Sequence, residues 1–67
     1  MKRADAGQMR ERLARLRLKQ ERFGLELWQV EEQNRLGRML ARMLNRPTTA
    51  IAAQAEVDAR ALEATEE

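Results

Sequence analysis

Residues 9–44, MRERLARLRLKQERFGLELWQVEEQNRLGRMLARML, carry apolar side chains on an unbroken four-three spacing. Met9, Leu16, Phe23, Val30 and Leu44 fall on one heptad core position, and Leu13, Leu27 and Ala41 on the other. Gln20, Asn34 and Gly37 interrupt the pattern. A 3.5-residue period sustained over such a length predicts a helix that lies along another helix. A second apolar line, Leu18, Leu25, Trp28, Leu36, Met39 and Met43, sits on nearly the opposite side of the same helix. A helix that is apolar on two opposed sides cannot satisfy both with one neighbour. The expectation is an all-α chain in a helical hairpin or coiled-coil oligomer, with a long heptad-patterned helix followed by a short one.

Working outward, Asp5 is placed to cap the long helix, with Gln8 three residues later completing a capping-box-like pair. Residues 1–4 before it read as a frayed end. From Asp5 to Arg46 no proline intervenes and most residues are good helix formers. The spacing predicts one helix over 5–46, roughly 60 Å long at 1.5 Å per residue. A turn at 33–37, around Asn34 and Gly37, is the alternative. Pro47 disfavours helix at Arg46, and Thr48 or Thr49 suits the cap of a second helix, so 47–49 is a turn. Residues 50–64 form an acidic, alanine-rich helix with a slim apolar edge, and Glu66 and Glu67 a solvated end. The whole of 1–67 is a single helical domain.

A 67-residue chain buries only about 60% of its unfolded surface and is marginal alone. Small scaffolds recover the deficit with disulfides, metals or association. Cys and His are both absent, which excludes a disulfide and the usual metal ligands. Association is what remains. Charge is uneven along the chain. Residues 1–22 carry net +5, 23–47 net +1 and 48–67 net −4. A basic head and an acidic tail imply either charged partners at each end or the ends of different copies meeting.

Flanking charges select an orientation for self-pairing. In a parallel dimer Arg12 would meet Arg17, and Glu26 would meet Glu31, of the partner copy. An antiparallel dimer instead layers Leu13 on Val30, Leu16 on Leu27 and Gln20 on Phe23, with Lys19 facing Glu26 and Arg10 facing Glu31. Exposed pairs contribute only about 0.2–1 kcal/mol each, enough to choose a direction. Met9, Leu13, Leu16, Gln20, Phe23, Leu27 and Val30 are thus the expected self-association residues. Leu18, Leu25, Trp28, Leu36, Met39 and Met43 are left for a protein partner, with Trp28 as an aromatic anchor.

Catalytic chemistry has little to draw on. Ser and Tyr are absent along with His and Cys, the glycines are isolated, and adjacent Glu31 and Glu32 point about 100° apart on a helix. The chain reads as a non-enzyme with no cofactor and no metal. Nucleic acid is the rival partner. Arg10, Arg12, Arg15, Arg17, Lys19 and Arg22 are dense enough to neutralise several phosphates. Their azimuths, however, scatter around the helix instead of gathering on one side. No run of 18 apolar residues spans a membrane. With no apolar leader either, the expected location is cytoplasmic.

The stretch Glu21-Arg22-Phe23-Gly24-Leu25-Glu26-Leu27-Trp28-Gln29 resembles the first helix of the small two-helix protein of the large ribosomal subunit. That likeness implies a basic antiparallel hairpin that binds ribosomal RNA. The acidic second half departs from the family, because it would repel RNA. The function expected from the residues themselves is a helical protein-interaction module that acts as a homo-oligomer, an adaptor, small regulator, inhibitor or structural subunit. A small nucleic-acid-binding accessory protein is the alternative.

Overall fold

A computed structural model describes residues 5–65. Residues 1–4 and 66–67, expected as frayed and solvated ends, lie outside the described residues. The protein is all-α: α1 is Ala6–Arg22, α2 is Leu27–Leu44 and α3 is Thr48–Thr65. Each helix contacts both of the others in a squat bundle of 31 × 30 × 26 Å.

Those dimensions correct the long helix. A rod over 5–46 would be about 60 Å, twice the largest extent. The chain turns at 23–26 instead, while 33–37 lies within α2. Gly24 carries the reversal. Its φ of +82° is left-handed, which costs glycine nothing and other residues about 1 kcal/mol or more. Its N–H donates back to the Lys19 and Gln20 carbonyls at 3.1 and 3.2 Å, closing α1. The Gln29 side-chain oxygen then accepts from the Glu26 backbone N–H (3.0 Å) and the Lys19 ammonium (3.1 Å), stitching the start of α2 to the end of α1. The helix start signal is thus Glu26 followed by Gln29. It lies inside the stretch that resembles a ribosomal helix, so that stretch is not one helix here.

The other ends follow the sequence. Asp5 caps α1 by accepting from the Gln8 N–H at 2.7 Å. Asn45, left-handed at φ 53°, ends α2, and the Arg46 N–H returns to the Ala41 carbonyl at 2.9 Å. Chain reversal at Pro47 occurs where expected. The proline carbonyl, with Thr48 already helical, accepts from Ala50 and Ile51 as α3 begins.

The core explains α1's two apolar sides. Met9 and Leu13 cluster with Leu40 of α2 and with Ile51 and Ala55 of α3, while Ala6, Leu36 and Ala41 pack around them. On the opposite flank of α1, Ala14 and Leu18 are also buried, and Ala14 lines one groove together with Ala61 and Leu62 of α3. The two neighbours that α1 needs are therefore α2 and α3 of its own chain. Ala55 and Ala59, both buried, keep the inner edge of α3 slim. A small side chain there lets helix axes approach closely, so an alanine-rich helix closes a core that larger residues would hold apart.

Candidate interaction surface

Charge falls into place with the helices. Arg10 pairs with Asp58 at 3.2 Å, Arg22 with Glu63 at 3.2 Å, and Arg17 lies 3.8 Å from Glu56. Arg60 bridges Glu21 and Glu63. The basic head and acidic tail thus meet within one molecule, as α1 on α3. Arg12 reaches α2 and holds Glu32 with two hydrogen bonds, while Arg15 pairs with Glu11 along α1. These contacts move the titrations they touch. The Arg12 hydrogen bond holds the Glu32 carboxyl below its ordinary value, and Glu32 in turn raises Arg12. Arg22 lowers Glu63 in the same way, and the hydrogen bond to Glu21 raises Arg60.

The expected nucleic-acid residues Arg10, Arg12, Arg15, Arg17 and Arg22 are therefore engaged with carboxylates, and Lys19 with the Gly24 carbonyl and Gln29. Phosphate contact by α1 would have to displace acidic groups already seated there. The expected self-association seam is divided. Met9, Leu13 and Leu16 are buried in their own chain, Val30 is half-buried, and Gln20 is exposed and accepts from Gln33. Phe23 and Leu27 are 82% and 74% exposed. No continuous antiparallel seam exists in this fold, because the turn at Gly24 separates its halves.

The partner stripe also divides. Leu18 is buried, and Leu25 and Leu36 are half-buried. Trp28, Met39 and Met43 stay exposed on the outer side of α2. Trp28 is oriented by its indole N–H, which donates to Glu26 at 2.7 Å. From Trp28 to Met43 the stripe runs roughly 22 Å along the helix.

Beside it stand residues that the sequence reading did not single out. Arg35, Arg38, Arg42 and Arg46 are exposed. Among the described residues none makes a side-chain hydrogen bond or ion pair, although Arg35 contributes to the field that lowers Glu32. The three within α2 share an arc of about 60° at 100° per residue. Their spacing of three and four was a legible signal, but only the denser cluster in α1 drew it. The outer side of α2 is thus an apolar stripe with an arginine row along one edge, and it continues at the turn into Phe23 and Leu27.

Among the described residues no group of His, Cys, Asp or Glu is arranged to hold a metal ion, and no helix is long and apolar enough to cross a membrane. Comparison with known proteins finds no matching family model, no similar curated protein and no similar solved structure.

Proposed function

We propose that this chain is a non-enzymatic protein-interaction module, an adaptor, small regulator or structural subunit, that binds through the outer side of α2 and the turn before it. The observation carrying this reading is the exposure of Phe23, Leu27, Trp28, Met39 and Met43 on one end and one side of the bundle, Leu44 and Val57 being exposed as well. Large contiguous apolar patches rimmed by charge mark interaction sites. Aromatic residues and Arg are enriched at binding hot spots, and methionine adapts to irregular partners. The arginine row favours a partner helix with its own apolar stripe and acidic flanks, seated as helices pair elsewhere. Two copies meeting on this side would oppose like charges. Self-association therefore belongs at the Phe23–Leu27 end, where no arginine row stands.

Capture from the native host tests this, with wild-type protein beside Trp28→Ala and Met43→Glu. A protein retained by the wild type and lost by both variants, with melting unchanged, supports the reading. The alternative of another class, a nucleic-acid accessory, draws on Arg35, Arg38, Arg42 and Arg46 instead of α1. It predicts a polynucleotide that is released steeply by salt and lost in Arg38→Ala with Arg42→Ala. Sedimentation at micromolar concentration tests self-association. A dimer that Phe23→Ser with Leu27→Ser returns to monomer supports it, and a wild-type monomer refutes it.

A further inference from the structure

All three helices contribute to a cleft of about 580 Å³ on a different side of the molecule from Trp28 and Met43. Its floor is the edge of the core, Leu13, Ile51 and Ala55. Its polar lining comes from Arg17 of α1, Arg38 of α2 and the first turn of α3 at Thr48 and Thr49, with the amides of Gln33 and Asn34 between them. No carboxylate lines it, in a chain with 11 Asp and Glu. Everywhere else on α1 the arginines are matched by acids. Here Arg38 has no acidic partner among the described residues, and Arg17 has only Glu56, 3.8 Å away.

Two further observations favour an anionic ligand. The Arg17 Nε is shut off from solvent and has no hydrogen-bond partner. The same guanidinium is held only loosely, since its contact with Glu56 is 3.8 Å and outside hydrogen-bond range. Meanwhile α3 opens with no acidic residue in its first turn, so no carboxylate of its own answers the positive end of its dipole.

Gly37 makes the cleft wide. A Cβ built there meets nothing within 4 Å, and its backbone is ordinary helix, so the fold does not require glycine. Glycine inside a helix is less favourable than alanine. What that cost leaves is room over Leu13 and Ile51.

We propose that this cleft binds a small organic anion, its carboxylate or phosphate head between Arg17, Arg38 and the first turn of α3, its apolar body on Leu13, Ile51 and Ala55. The volume falls in the usual range of small-molecule sites, and an apolar floor with a few convergent donors is their usual make-up. Arg38 also stands in the arginine row on the outer side of α2, so the test rests on Arg17 and Gly37, which take no part in that surface.

The test is a titration of the full chain followed by amide and arginine Nε–H nuclear magnetic resonance, with octanoate, octan-1-ol and inorganic phosphate as separate probes. Octanoate is expected to give saturable shifts at Gly37, Thr48, Thr49 and the Arg17 Nε–H. Octanol is expected to bind at least roughly tenfold more weakly, as for loss of a charged hydrogen bond. Arg17→Gln should weaken octanoate by a similar factor. Gly37→Leu should abolish its binding, while Gly37→Ala, which fills less, confirms that the helix tolerates a side chain there. The proposal is overturned if octanol matches octanoate, if phosphate alone binds as tightly, or if the octanoate shifts collect at Phe23, Leu27 and Trp28. Absence of saturable binding to millimolar octanoate overturns it as well.

Discussion

Arg12 and Glu32 are joined by two hydrogen bonds, Nε to Oε2 at 3.1 Å and Nη2 to Oε1 at 2.9 Å, and this fork ties α1 to α2. Bidentate geometry makes it the best placed of the surface pairs, though solvent still reaches both partners. A double-mutant cycle of Arg12→Ala and Glu32→Ala should give a coupling of about 0.5–1 kcal/mol in chemical denaturation. The pair also sets an acid dependence. Glu32 is lowered in the folded protein from an ordinary 4.5, so its contribution is whole above that value and is lost as the pH falls through the lower folded one. Melting curves from about pH 6 down to about pH 3 should therefore fall more steeply for wild type than for Glu32→Gln.

Leu16 and Leu27 share the heptad pattern and part company in the fold, at 2% and 74% exposure. Leu16→Ala should cost about 2–5 kcal/mol, which for a bundle this small approaches complete unfolding at room temperature. Leu27→Ala should change stability by no more than about 0.5 kcal/mol. Circular dichroism melts of the two proteins, side by side, decide it.

Two glycines should respond to alanine with opposite signs. Gly24→Ala forces a side chain into a left-handed backbone and should destabilise by about 1 kcal/mol although nothing crowds the position. Gly37→Ala, in regular helix with open space around it, should stabilise by up to about 1 kcal/mol. Denaturant midpoints measure both. A loss at Gly37 would mean that the position is more confined than its surroundings indicate.

Arg10 and Asp58 tie the first turns of α1 to α3, with Gln54 also donating to Asp58 at 3.0 Å. Arg10→Asp sets two acids together and should lower the melting temperature, and adding Asp58→Arg should restore most of the loss. Failure of the exchange to restore it would show that Arg10 acts through its aliphatic stem and not its charge.

Helical content, the Asp5 cap and the reversal at Pro47 were legible because each rests on local chemistry that tertiary packing does not override. The turn at 23–26 was not, for a specific reason. Phe23 and Leu27 continue the four-three spacing of Met9, Leu13 and Leu16 straight across Gly24, and apolar spacing records where grease stands in the sequence, not whether it is covered. The contrary signal, a glycine followed two residues later by Glu26 and then Gln29, is weak by itself, since Glu is an uncommon cap. Charge asymmetry was read as charged partners at each end or as the ends of different copies meeting, whereas the ends meet within one molecule, which composition does not specify. Trp28, Met39 and Met43 were legible as an outward stripe. Leu18 and Leu36, on the same line, were not separable from them until α3 was seen to pack behind α1.

With α1 gripped on both flanks, the polypeptide has no self-sufficient half. A ribosome that has released α1 and α2 but not the residues beyond Pro47 holds a hairpin whose Met9, Leu13 and Leu40 lack Ile51 and Ala55. The last of the three helices to be synthesised is the one that shuts the interior. A chain cut after Pro47 is therefore expected to lose its cooperative melt, since Met9, Leu13 and Leu40 would be left without the cover of α3.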